Sequence, residues 1–261
     1  MDLYYRELNP DSSKPALILL HGLFGSSVNL SQIGKHFSRY RKVIIPDLRN
    51  HGRSPHDDEV GYQAMSEDIL SMLDKNQCQQ VDIMGHSMGG KVAMWLALNN
   101  PDRVNHLVIA DIAPVTYPNR FQTIIEAMKA LQLSSLDDRR DADLHLQQYL
   151  ENASLRAYLL QNLLKSDGQW RWRINLQALS ASIENIMLFP HSSAEFEKPV
   201  LFLKGGMSDY ISDNYESTLL NFFPLAQIDV IEETGHWLYA EKPDAFIEAM
   251  ENFLPRYETD A

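Results

Sequence analysis

Apolar residues along this chain follow two rhythms. Short apolar runs at 15–20, 42–45, 81–84, 104–110, 198–203 and 226–231 read as strands, most of them continuous enough to be buried on both faces. Between them, apolar positions recur every three or four residues, the spacing of one helical face. The segments 29–37, 65–73, 91–98, 216–222 and 243–254 follow this second rhythm, with Met65, Ile69, Met72 and Leu73 on one side of the second. Residues 1–14 read as one or two edge strands, because Leu3-Tyr4-Tyr5 is β-prone and Asn9-Pro10-Asp11-Ser12-Ser13 is turn chemistry. Strand and helix alternate as far as residue 117. From 118 to 189 the alternation stops: Phe121, Ile124, Ile125, Met128 and Leu131 share one helical face, Leu155, Tyr158 and Leu159 another, and Leu176, Leu179, Ile183 and Ile186 a third. The expected organisation is an α/β core from 1–117 and 190–261, with a helical cap, 118–189, inserted in it. Such alternation implies a mostly parallel central sheet with helices on both faces.

In sheets of this kind working groups collect at the carboxyl ends of the strands. The run at 81–84 ends in Gly85-His86-Ser87-Met88-Gly89, and a helix follows. A Gly-x-Ser-x-Gly turn between strand and helix has the spacing of a nucleophile elbow. The serine must hold a sparsely allowed backbone conformation. The flanking glycines are needed because a Cβ at either would collide with neighbouring chain. The alternative is an ordinary turn with a capping serine. Ser87 is therefore the candidate nucleophile.

A serine hydroxyl needs a base. Of the nine histidines, His236 follows the last strand in a Gly-His loop that can face the elbow, and it is the candidate base. His86 adjoins Ser87 but is expected to point away; His21 and His51 are expected to brace loops. The histidine needs an acid to fix its tautomer. Asp111, after the strand that follows the elbow helix, and Asp209, after the strand that follows the insertion, both qualify, with Asp111 weighed ahead. The oxyanion of an acyl transfer needs preorganised N–H donors. Met88, the residue after the nucleophile, supplies one, and His21-Gly22-Leu23 supplies the other through Leu23, with Phe24 as the fallback.

Composition narrows the partners. The formal net charge is −12 and no Lys/Arg-rich run exists, which argues against nucleic acid. No apolar run reaches the ~18 residues of a membrane span, so a cytoplasmic protein is expected. A single cysteine, Cys78, excludes an intrachain disulfide. No His/Cys spacing suggests a metal, and no cofactor is expected.

Taken together, His21-Gly22-Leu23-Phe24-Gly25, Asp47 to Ser54, Gly85 to Gly90 and Gly235-His236-Trp237 resemble the α/β-hydrolase superfamily over essentially the whole length. Asp111-Ile112-Ala113-Pro114 and Gly205-Gly206-Met207-Ser208-Asp209-Tyr210 further resemble the YbfF-type bacterial esterases and their ABHD-class eukaryotic relatives. That resemblance implies the acid at Asp111, a serine at Ser208 that assists His236 by hydrogen bonding, and a cap over a deep apolar cleft. It implies a small-molecule carboxylic ester as substrate, with acyl-CoA thioesters as the alternative ligand class. A C–C hydrolase, a lyase or a non-catalytic hydrolase-fold binding protein would keep the same motifs.

Overall fold

The computed structural model describes residues 1–257. The elements run β1 (Tyr5–Leu8), β2 (Leu17–Leu20), α1 (Ser31–Phe37), β3 (Val43–Pro46), α2 (Tyr62–Lys75), β4 (Val81–His86), α3 (Met88–Asn99) and β5 (Val104–Ala110). Then come α4 (Gln122–Ala130), α5 (Arg139–Gln147), α6 (Ala153–Leu160), β6 (Leu163–Ser166), β7 (Gln169–Trp172), α7 (Leu176–Ala181) and α8 (Ile183–Met187). The chain closes with β8 (Val200–Gly205), α9 (Glu216–Phe222), β9 (Ala226–Ile231), α10 (Leu238–Glu241) and α11 (Pro243–Phe253).

One seven-stranded sheet has the order β1-β3-β2-β4-β5-β8-β9. Only β1 is antiparallel to its neighbour, β3; the other pairs are parallel. Alternate side chains of a strand feed opposite faces. In β2, Ile18 and Leu20 join the larger core, shared with α2, α3 and the segment after β5. Leu17 and Leu19 join the smaller core, with Ile33 and Phe37 of α1 and Phe246 and Met250 of α11. This two-sided burial is why β2 and β4 carry no alternation of polar residues: every residue of both is buried. At the other end of the sheet, Asp82 is buried against Arg41 at 2.6 Å and accepts from the His106 ring at 2.8 Å, tying the start of β4 to β5.

The segment between β5 and β8 is not purely helical, which corrects the expectation of an all-helical insertion. It contains five α-helices, a short 3₁₀ turn at Leu133–Ser135 and an antiparallel hairpin, β6–β7, paired from Leu163↔Trp172 to Ser166↔Gln169. The two loop residues, Asp167 and Gly168, have φ of +52° and +79°, the left-handed pair of a type I′ turn. The single helical face running through Leu176 and Ile186 is likewise two helices, broken at Ser182.

The segment is fastened where it enters and leaves. Tyr117 N–H donates to Met187 O at 3.0 Å. Lys91, buried on α3, donates from Nζ to Met187 O at 2.7 Å and Leu188 O at 3.0 Å. Burial pushes the Lys91 ammonium down to about 7. Among the described residues no helix is long and apolar enough to cross a membrane.

Candidate active site

The turn after β4 places Ser87 at φ +52°, ψ −121°, a conformation few L-residues adopt. The glycines around it are required by contact. A Cβ on Gly85 would meet Gly89 O at 2.4 Å, and one on Gly89 would meet Leu20 O at 2.5 Å. Ser87 N–H still pairs with Ala110 O at 3.0 Å, so the elbow stays anchored to β5. Helix α3 begins at the next residue, three positions earlier than the periodicity predicts, because the elbow itself is its first turn.

Ser87 Oγ donates to His236 Nε2 at 3.0 Å, and His236 Nδ1 donates to Asp111 Oδ2 at 2.8 Å. The three residues come from the ends of β4, β9 and β5, and the parallel sheet lines up those ends. Asp111 has φ +52°, so the chain turns its carboxylate back over the sheet edge. That carboxylate is fully buried, accepts Gly205 N–H at 3.0 Å on Oδ1, and accepts the Ser208 hydroxyl at 2.5 Å on Oδ2. Asp209 lies elsewhere: its side chain is 66% exposed and pairs with Arg120 at 2.7 Å. The acid alternative at Asp209 is therefore corrected; it holds a surface arginine and does not reach the imidazole. Ser208 touches the carboxylate, not the ring expected from the resemblance. It shares the Asp111 Oδ2 atom with His236 Nδ1. If the Asp111 charge matters to turnover, Ser208→Ala lowers kcat by about 10- to 100-fold, the loss of one hydrogen bond to a charged group. An unchanged kcat would remove Ser208 from the site.

The N–H groups of Met88 and of the loop after β2 are the ones expected to serve an oxyanion at Ser87. Met88 N–H is in the first turn of α3, where no helical carbonyl reaches. In the loop after β2, Phe24 N–H is already donated to His51 Nε2 at 3.1 Å. Leu23 N–H has no acceptor among the described residues, so of the two Leu23 is the one left free to donate. The loop is held from behind by His21, whose Nε2 accepts Leu48 N–H at 3.0 Å while Nδ1 donates to Gly22 O at 2.8 Å. Tyr158 OH donates to Leu23 O at 2.9 Å from α6. Arg49 is buried against Asp68 at 2.7 Å.

His86 adds a contact that the sequence does not announce. It points away from Ser87, and its Nε2–H donates to the backbone carbonyl of His236 at 2.7 Å. The rings of His86 and His236 lie 4.7 Å apart, and Tyr210 stacks on the other histidine at 4.1 Å.

Burial keeps three of these histidines neutral. It depresses His21, assisted by no positive neighbour; it drives His51 down to about 3, with His21 adding repulsion; and it drives His86 well below its usual range, with His236 adding to the effect. In the unfolded chain each titrates near 6.5. The unfolded state therefore takes up protons that the fold refuses, and stability present above about pH 6.5 is lost as pH falls toward the folded values. Urea midpoints are expected to fall between pH 7.5 and pH 5, with a shallower fall in His51→Gln. Identical slopes in the two proteins would contradict a neutral buried His51.

Two small cavities meet at Ser87. One, about 20 Å³, is lined by Tyr62, Met88, Tyr117, Phe121, Ile186 and Tyr210; the other, about 30 Å³, by Phe24, Phe121, Leu155, Tyr158 and Trp237. Both are far below the ~300–1,000 Å³ of a ligand pocket. Of the apolar residues on the predicted helical faces of 118–189, Phe121 and Tyr158 line the second cavity, whereas Met128 and Leu159 are fully buried in the core.

Residues 15–243 match a family profile described as the alpha/beta hydrolase fold. The chain is 38% identical to the mouse sn-1-specific diacylglycerol lipase ABHD11 over 97% of its own length and 85% of that protein. It is 37% identical to esterase YbfF of Escherichia coli K12, covering 94% of this chain and 95% of the relative. A solved structure described as a marine microorganism esterase superposes with a TM-score of 0.93 at 38% identity, covering 97% of this chain and 99% of that one.

Proposed function

The chain belongs to the α/β-hydrolase family, and we propose that it is a serine carboxylesterase that forms an acyl-enzyme on Ser87. The observation that carries this reading is the continuous relay from the Ser87 hydroxyl through His236 to Asp111. Similarity to proteins named esterase and lipase supports ester hydrolysis as the chemistry.

In this mechanism His236 Nε2 takes the Ser87 proton as Oγ attacks the acyl carbonyl. The imidazolium is stabilised by the buried Asp111 carboxylate, which stays ionised. Leu23 and Met88 N–H groups bind the oxyanion, each worth about 2.7–4 kcal/mol to the transition state by analogy with a single oxyanion donor elsewhere. His236 then protonates the departing alcohol, and water activated by the same nitrogen releases the acid. The segment 118–189 acts as a cap whose Phe121 and Tyr158 meet the acyl or alcohol group.

Initial rates on p-nitrophenyl esters of increasing chain length, run beside the matched acyl-CoAs, test the reading. Turnover of the esters with a chain-length optimum is expected. Exclusive use of the acyl-CoA series would replace it with a thioesterase, and no turnover of either by folded protein would overturn it.

A further inference from the structure

The cavity most unlike the rest of this acidic molecule lies away from Ser87. It has a volume of about 350 Å³ and opens between the loop after β3 and the β6–β7 hairpin. Arg53 and His56 line it from the loop, and Arg171 and Arg173 from the hairpin and the residue after it. Among the described residues, none of these three arginines has a carboxylate within ion-pair distance. Arg53 NH1 reaches Tyr4 OH at 2.9 Å, with its guanidinium 4.9 Å over the same ring. The guanidiniums of Arg171 and Arg173 donate to no acceptor within the described chain. Asp47, the acidic group that acts on Arg173, has its oxygens committed to the N–H groups of Ser27 at 2.6 Å and Arg53 at 2.9 Å.

Holding like charges together is unfavourable unless something neutralises them. In a chain of net charge −12, carboxylates are the abundant partner, yet they are not placed here. Arg173 registers the crowding: burial lowers its pKa, and repulsion from Arg53, Arg139 and Arg171 lowers it further, with Asp47 offsetting part of the effect. A single carboxylate presents one edge and one charge, which one guanidinium fork satisfies. A phosphate group presents three acceptor oxygens and up to two charges, and can take forks from several directions.

We infer that Arg53, Arg171 and Arg173 form a binding site for a phosphate-bearing small molecule, seated between the β3 loop and the β6–β7 hairpin. His56 helps shape the wall: its Nε2–H donates to Arg173 O at 3.0 Å and so sets the backbone from which that guanidinium extends. The wall is also continuous with the site at Ser87. Arg173 N–H donates to Asn162 O at 2.7 Å, and Asn162 Nδ2 donates to Phe24 O at 2.7 Å, next to Leu23.

Calorimetric titration of the full chain with inorganic pyrophosphate at low ionic strength reads the site directly and does not depend on turnover. Saturable binding is expected in the wild type and in Arg140→Gln, which removes an exposed charge outside the cavity. Binding about tenfold weaker or more is expected in Arg171→Gln, the loss of one charge-assisted contact, and weaker again with Arg173→Gln added. Because Arg171 is exposed, its single variant keeps the test intact if the double variant misfolds. Co-sedimentation with phosphatidic-acid vesicles forms the second arm. Sedimentation lost in Arg171→Gln, with pyrophosphate silent, would keep the phosphate chemistry and assign it to a lipid headgroup. No binding in either arm, or equal binding in all the proteins, overturns the inference.

Discussion

Replacing Ser87 by alanine is expected to lower kcat on esters by about 10⁶, the loss seen when the nucleophile of a hydroxyl–imidazole–carboxylate relay is removed. The fold should not notice. The hydroxyl's side-chain hydrogen bond is to His236, and alanine keeps the Cβ. A melting temperature within about 2–4 °C of wild type, the shift produced by about 1 kcal/mol in a chain of this size, is expected. Substantial activity in the folded variant would place the nucleophile elsewhere and end the esterase reading.

The second large effect belongs to Asp111. Asp111→Asn keeps the shape of the side chain and an oxygen for Gly205 N–H, but it offers an amide N–H where His236 Nδ1–H now finds a carboxylate oxygen. The imidazole must answer with a lone pair on Nδ1, which puts its proton on Nε2, facing Ser87. A base with its proton already in place cannot accept another. The expected cost is about 10⁴ in kcat, as for the same change in a known relay. Asp209→Asn provides the control, because it breaks an exposed pair with Arg120 and should leave kcat within about twofold. Equal losses in the two variants would mean that the buried carboxylate does not orient the histidine.

Much of this was legible beforehand, for physical reasons. Strand β5, helix α9 and strand β9 run over the spans their apolar patterns predict, β5 because a mostly buried strand tolerates few polar residues. The elbow was legible because only glycine fits the approaches at Gly85 and Gly89. The choice between Asp111 and Asp209 was harder. Both follow strands, and only the positive φ at Asp111 and the exposure of Asp209 separate them in space. The β6–β7 hairpin was hidden among amphipathic helices, although Asp167-Gly168 between Leu163–Ser166 and the alternating Gln169–Trp172 is a hairpin signal in its own right. Leu23 and Phe24 are indistinguishable in sequence. His51, which arrives from another loop to occupy Phe24 N–H, is what tells them apart. His86 was correctly expected to turn away from Ser87, but no sequence pattern reveals the His236 carbonyl that it holds.

The hydrogen bond between Tyr117 and Met187 bears on how such a protein diversifies. The chain departs from the sheet and comes back to it at one point, like a branch grafted at a single node. Ser87, His236 and Asp111 all stand on the trunk side of that node. Insertions, deletions or a wholesale exchange between Tyr117 and Met187 therefore leave the strand ends that carry Ser87, His236 and Asp111 in place, provided that the Tyr158 and Asn162 contacts to the Leu23–Phe24 loop are kept. Closing a longer branch costs little, because the entropic penalty rises only with the logarithm of its length. Selection can thus act on appetite and on chemistry as two nearly independent traits of one gene.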